Sequence, residues 1–151
     1  MKLQQLSLFI ENRPGHLGAP LEALAAAGIN LVTLSLADTT QFGILRLIVR
    51  DWRRAKQVLE RAGWVVNLTE VVAVDVVDRP GGLAEILKVL EGAGLNVEYL
   101  YAFALRREGK SVLVLRFEDP DRAIQVLDAA GLLGSEAEEL FSHLPDPTCE
   151  E

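Results

Sequence analysis

Asp78-Arg79-Pro80-Gly81-Gly82-Leu83 decides how this chain folds, because it occurs twice. The other copy is Asn12-Arg13-Pro14-Gly15-His16-Leu17. Each copy follows an apolar segment and opens a stretch with helical spacing. A second shared signal comes after each Pro-Gly: Gly28-Ile29-Asn30 in one half and Gly94-Leu95-Asn96 in the other. Paired turns of this kind point to a small-molecule site that the rest of the chain holds in place.

The repeat extends well beyond the turns. Leu17, Leu21, Leu24, Ala27, Gly28, Asn30 and Leu34 match Leu83, Leu87, Leu90, Ala93, Gly94, Asn96 and Leu100 at an offset of 66 (79 − 13 for the turn arginines). Leu45, Leu47, Asp51, Arg54, Ala55, Val58 and Leu59 match Leu113, Leu115, Asp119, Arg122, Ala123, Val126 and Leu127 at an offset of 68 (113 − 45). The second half has therefore gained two residues in the turn between these blocks, Asp38 to Gln41 in one half and Arg106 to Lys110 in the other. A fixed-period repeat of this regularity is a tandem duplication. Its boundary falls near Asn67 to Val71. The reading divides the chain into residues 1–69, residues 70–135, and a C-terminal helix with a loose tail over 136–151.

Gln4 to Ile10 alternates and reads as a strand. Pro14 suits the first turn of a helix, where its missing donor is no loss. Leu17, Leu21, Leu24 and Gly28 then fall on one helical face, with Gly28 just past the end. Strands over 29–37 and 42–49 follow, then a helix from Trp52 capped by Asp51, and a last strand over 64–68. The second half repeats the order. Val71 to Val77 reads as a buried strand. A helix runs from Leu83 towards Gly94, and a hairpin covers 95–105 and 111–117. Asp119-Pro120 opens the next helix, and a short last strand starts at Leu132. Each half is then strand, helix, strand, strand, helix, strand. That is α+β: two ferredoxin-like βαββαβ repeats, with antiparallel sheets and helices on one face.

Composition narrows the function. Half the residues are apolar and a quarter are charged, which is globular. The net charge of −7 disfavours nucleic acid and anionic membrane, since both need clustered Lys and Arg. No run reaches the roughly 18 apolar residues of a membrane span. The first residues lack a signal-peptide core, so a cytoplasmic location is expected. Two scattered histidines and the single Cys149 make neither a metal spacing nor a disulfide, and no cofactor is expected. No nucleophile elbow, phosphate loop or Cys-His pair is present.

The Arg-Pro-Gly and Gly-x-Asn signals resemble the ACT domain, a small regulatory module that binds amino acids in many metabolic enzymes. Two of them without a catalytic domain resemble the stand-alone tandem ACT proteins, over about residues 3 to 135. The resemblance implies a non-catalytic regulatory protein with its ligand near the first strand-to-helix loops, close to domain interfaces. By motif position it points to Asn12, Arg13, Gly15, His16, Leu17 and Asn30 in the first half. In the second it points to Asp78, Arg79, Gly81, Gly82, Leu83 and Asn96. The serine-sensing relatives carry a histidine two residues before the loop asparagine. Here Ile10 and Val76 stand there, which points away from serine.

These residue types suit a free amino acid. A helix N-terminus offers unpaired N–H groups to a carboxylate. Gly15, Gly81 and Gly82 let a ligand approach the backbone. Asp78 supplies charge, and Asn12, Asn30 and Asn96 supply amide oxygens, to an ammonium group. Asp78 against Asn12 makes the two sites electrostatically unequal. The same residues also read as turn formers and helix caps. Expected partners are an amino acid or similar metabolite, a second copy of the chain in a homodimer, and an unidentified metabolic enzyme. Two other readings stay open: an ACT-like dimerisation module without ligand, and a small ferredoxin-like hydrolase.

Overall fold

The computed structural model describes residues 1–107, 109–134 and 141–142. The helix and tail expected over 136–151, with His143 and Cys149, lie almost wholly outside the described residues. The chain forms two compact units. One is Gln4–Thr69; the other is Glu70–Ser142 together with Met1–Leu3.

The first unit contains most of β1 (Lys2–Glu11), then α1 (Gly18–Ala26), β2 (Leu31–Asp38), β3 (Phe42–Val49) and α2 (Trp52–Arg61). β3 lies between β1 and β2 and is antiparallel to both. Period-two alternation sends Leu6, Leu8 and Ile10 to one face, opposite Leu47, Leu45 and Gly43. On that face Leu24 of α1 and Ala55 and Leu59 of α2 complete a buried cluster. A Leu→Ala change at such a site typically costs about 2–5 kcal/mol.

The second unit repeats the plan with most of β4 (Asn67–Val77), then α3 (Gly82–Gly92), β5 (Tyr99–Arg107), β6 (Lys110–Arg116) and α4 (Pro120–Ala129). Val72, Val74 and Val76 of β4 pack with Ile86, Leu90, Phe117 and Leu127. Asp51 and Asp119 cap α2 and α4, each accepting from the amide three residues on at 3.0 Å. A second shared device ties the helices of each pair. Arg54 donates to the carbonyl of Ala27 at the end of α1, and Arg122 to that of Ala93 at the end of α3, both at 2.6 Å. These carbonyls would otherwise lack an intrahelical partner.

Met1–Leu3 lie along β4. The Met1 carbonyl accepts from the Ala73 amide at 2.7 Å, and the Met1 ammonium donates back to the Ala73 carbonyl at 2.9 Å. Lys2 reaches Asp121 at 2.9 Å and Glu70 at 3.5 Å.

Three expectations need correction. Pro14 does not open α1, because Gly15 has φ +85° and the helix starts only at Gly18. Asn12 and Asp78 do not cap their helices: the N-cap positions are Leu17 and Gly81, neither with a side-chain bond. The closing strands do not form as separate elements. Trp64 to Val66 is irregular, and Asn67 onward runs straight into the apolar segment as one strand, β4. Leu132 and Leu133 pack on the core as irregular chain between two left-handed glycines, Gly131 and Gly134.

Candidate functional site

The first turn begins where the β1 ladder ends, at Glu11 opposite Phe42. The Asn12 amide donates to the Gln41 carbonyl at 3.1 Å and the Arg13 amide to the Glu11 carbonyl at 2.9 Å. The His16 amide donates to the Arg13 carbonyl, and the Ala19 amide to the Gly15 carbonyl, both at 3.2 Å. This bonding needs the left-handed φ of Gly15, a conformation that favours glycine. The Ala19 amide is thus already engaged, and the helix dipole adds partial positive charge at this end of α1.

Two hollows flank this turn. One, of about 350 Å³, is lined by Ile10, Glu11, Asn12, Arg13, Pro14, Leu17, Leu36, Asp38 and Gly43. The other, of about 420 Å³, is lined by Phe9, Ile10, Glu11, Pro14, Gly15, His16, Ala19 and Trp64. Both volumes fall in the range of about 300–1,000 Å³ usual for ligand sites. Ile10, Glu11 and Pro14 form the wall they share. Arg13 stays near Glu11, Nε to Oε2 3.4 Å, with both side chains largely in solvent.

The second turn has the same backbone. Asp78 donates to Gly109, Arg79 to Val77, Gly82 to Arg79 and Glu85 to Gly81, at 2.9 to 3.0 Å, and Gly81 has φ +85°. Its side chains behave differently. Arg79 Nη2 donates to both oxygens of Glu85, at 2.8 and 2.9 Å, across the first turn of α3. The first half has Ala19 in place of Glu85. Gly82 also presses against the end of β4, where a Cβ would stand 2.2 Å from the Val77 carbonyl oxygen.

Comparison with known proteins agrees with this plan. The family model for an ACT domain pair matches residues 1–141. The chain belongs to the ACT domain pair family. This ACT pair is also 37% identical to the solved protein BT0572 of Bacteroides thetaiotaomicron, with TM-score 0.85, over 93% of this chain and 96% of that one. Two weaker likenesses concern the fold alone. One is the ligand-free regulatory subunit of aspartate kinase from Thermus thermophilus, at 20% identity and TM-score 0.61, over 84% of this chain and 91% of that one. The other is the corresponding subunit from Thermus flavus, at 19% and 0.59, over 86% and 92%. No curated protein matches the sequence.

In this ACT pair, Asn12, Arg13, Gly15, His16 and Leu17 gather around the two hollows. Asp78, Arg79, Gly81, Gly82 and Leu83 gather at the second turn. Asn30 and Asn96 do not join them. Asn30 precedes β2, whose other end carries Asp38 against Gly43 beside the turn. At about 3.3 Å per residue the asparagine is roughly 26 Å from that end. Asn96 likewise precedes β5, which reaches the turn region only at Arg107. The Gly-x-Asn signal is a helix stop in both halves, with Gly28 and Gly94 left-handed.

The spacing argument missed Phe9, Glu11, Leu36, Asp38, Gly43 and Trp64, all of which line the hollows, and it raised Ile10 only as the position where serine-sensing relatives carry a histidine. The signal for several of them was the hairpin itself. Once Asp38 to Gln41 is a turn, Asp38 must face Gly43, and Gly43 must face Ile10. Among the described residues no group of His, Cys, Asp and Glu is placed to hold a metal, and no helix is long and apolar enough to cross a membrane.

Proposed function

We propose that this ACT pair is a non-catalytic sensor that binds a free amino acid at the first strand-to-helix turn and reports it to a metabolic enzyme in the cytoplasm. The observation that carries the reading is the pair of hollows around Pro14-Gly15. They bring the N-terminus of α1, the carboxylates of Glu11 and Asp38, the Arg13 guanidinium and the Asn12 amide to one place. Opposite charges on one rim suit a zwitterion. Regulation follows by linkage: bound ligand favours one arrangement of the protein, by no more than its differential affinity for the alternatives. Asn12, Arg13, Gly15, His16 and Leu17 are the contact residues of this proposal. The Asp78 turn is its weaker copy, because Glu85 already engages Arg79.

Dimerisation is part of the proposal. Phe9 and Phe42 are 64% and 50% exposed on the sheet face away from the helices, an apolar pair suited to a second copy. A dimer indifferent to every metabolite would favour the interaction-module reading instead.

A thermal-shift screen against the twenty amino acids, followed by calorimetry, tests the sensor. Ligand at a hundred times its Kd adds about 2.7 kcal/mol of stability. A selective hit lost on Gly15→Val, with the fold retained, supports the reading. A flat screen sinks it.

A further inference from the structure

We infer that the exposed face of α2 docks, through opposite charge, on the exposed face of α4 in a second copy of the chain. The contact uses neither the Pro14-Gly15 turn nor the face of Phe9 and Phe42, so it stands or falls separately from the sensor.

The two repeats differ in charge. Residues 1–69 hold eight Lys and Arg against five Asp and Glu, a net +3. Residues 70–135 hold seven against eleven, a net −4. Much of the difference lies on and beside the second helix of each repeat. Two charged positions there have a structural task, and they are the same in both. Asp51 and Asp119 cap, while Arg54 and Arg122 tie the helix to its neighbour. The other charges have no such task, and they diverge. At the offset of 68, Arg50, Arg53, Lys56 and Arg61 are matched by Glu118, Asp121, Ile124 and Ala129, and only Glu60 keeps its sign, as Asp128.

These charges face outward. Ala55 and Leu59 turn one side of α2 to the core, as Ala123 and Leu127 do for α4. On the other side Arg53, Gln57 and Glu60 form a stripe at spacings of four and three, and so do Asp121, Gln125 and Asp128. Arg50, Arg53, Arg61, Glu118, Asp121 and Asp128 are all exposed. With Lys56 and Glu60 counted, the α2 face carries four cations and one anion, +3, against three anions, −3, at α4. Ion pairs within the chain offset part of this: Lys56 pairs with Glu60, and Lys2 reaches Asp121 at 2.9 Å. The neighbouring helices do not cancel the contrast. α1 adds Glu22 alone, and α3 adds Glu85, Lys88 and Glu91, −1 in each case.

The chain thus carries both members of a complementary pair, and any second copy supplies the missing one. Two α2 faces repel, as do two α4 faces, so charge selects the unlike pairing and steers the encounter. Exposed ion pairs are individually weak, which makes the contact reversible and sensitive to salt.

Sedimentation equilibrium on the full chain decides it. The parent is expected to associate in about 0.05 M salt and to weaken about tenfold in about 1 M salt, where the screening length falls to about 3 Å. Arg53→Glu with Arg61→Glu reverses α2, and Asp121→Lys with Asp128→Lys reverses α4. Either pair of changes is expected to weaken association at low salt about tenfold, with the circular dichroism of the parent. Mixing the two reversed chains, or placing all four changes in one chain, is expected to restore it to within about threefold of the parent. Association that ignores salt and both reversals, as apolar pairing through Phe9 and Phe42 would, overturns the inference and leaves the sensor intact. So does loss without restoration. A parent that stays monomeric at low salt assigns α2 to an acidic surface on another protein, and overturns it too.

Discussion

The two Pro-Gly turns share one backbone and differ in what their side chains do with it. Both have a glycine at φ +85°, and the same four amides donate to the same four carbonyl positions. Around Gly15 the arginine pairs loosely with the strand residue before it, Glu11, and hollows lie on either side. Around Gly81 the arginine instead clasps Glu85 inside the first helical turn. That carboxylate stands at the positive end of a helix dipole, where a ligand carboxylate would go. Duplication kept the part of the site made of backbone. Substitution at one helix position, Ala19 against Glu85, changed whether the turn arginine is engaged from within the helix.

The largest test of the comparison is Gly82→Ala. Its Cβ meets a backbone carbonyl that cannot move aside, and a loss of about 3 kcal/mol in urea unfolding is expected. His16→Ala at the equivalent position should stay within about 0.5 kcal/mol. Next come Gly15→Ala and Gly81→Ala. Nothing crowds either position, so each change costs only the left-handed conformation, about 1–2 kcal/mol, and the two costs should be equal. Unequal values would mean that the backbones are less alike than their hydrogen bonds suggest.

Ala19→Glu should copy the clasp into the first turn. It is expected to weaken amino-acid binding about tenfold, close to 1.4 kcal/mol, by calorimetry. Unchanged affinity would separate the clasp from binding. The smallest effect is that of Glu85→Ala. An exposed ion pair of this kind is worth about 0.5 kcal/mol, and the loss should shrink in high salt.

Much of this was legible from residues alone. Internal matching of the Arg-Pro-Gly turns, the leucines after them and the Asp caps gave the two repeats, because those features depend on neighbours close in sequence. The closing strands were not legible. Trp64-Val65-Val66 is aromatic and β-branched like a strand, but a strand needs a partner ladder, and residue type cannot supply one. The site was half legible for the same reason. Pro14-Gly15 could be found by spacing, while Leu36, Asp38 and Gly43 reach the turn only through hairpin register. Asn30 and Asn96 follow helix stops in both halves, and the Gly-x-Asn letters do not say whether such an asparagine also faces a ligand.

The first three residues carry a lesson about modularity. Met1–Leu3 belong to the unit built from the later half of the chain, held by two bonds to Ala73 and by the reach of Lys2 to Asp121. The duplication visible in the sequence therefore does not mark where the molecule can be cut. A fragment starting at Glu70 would keep every residue of the second repeat and still leave the Ala73 amide and carbonyl without these partners. Transplanting that repeat into another protein would require carrying its borrowed strand along, or supplying a substitute for it.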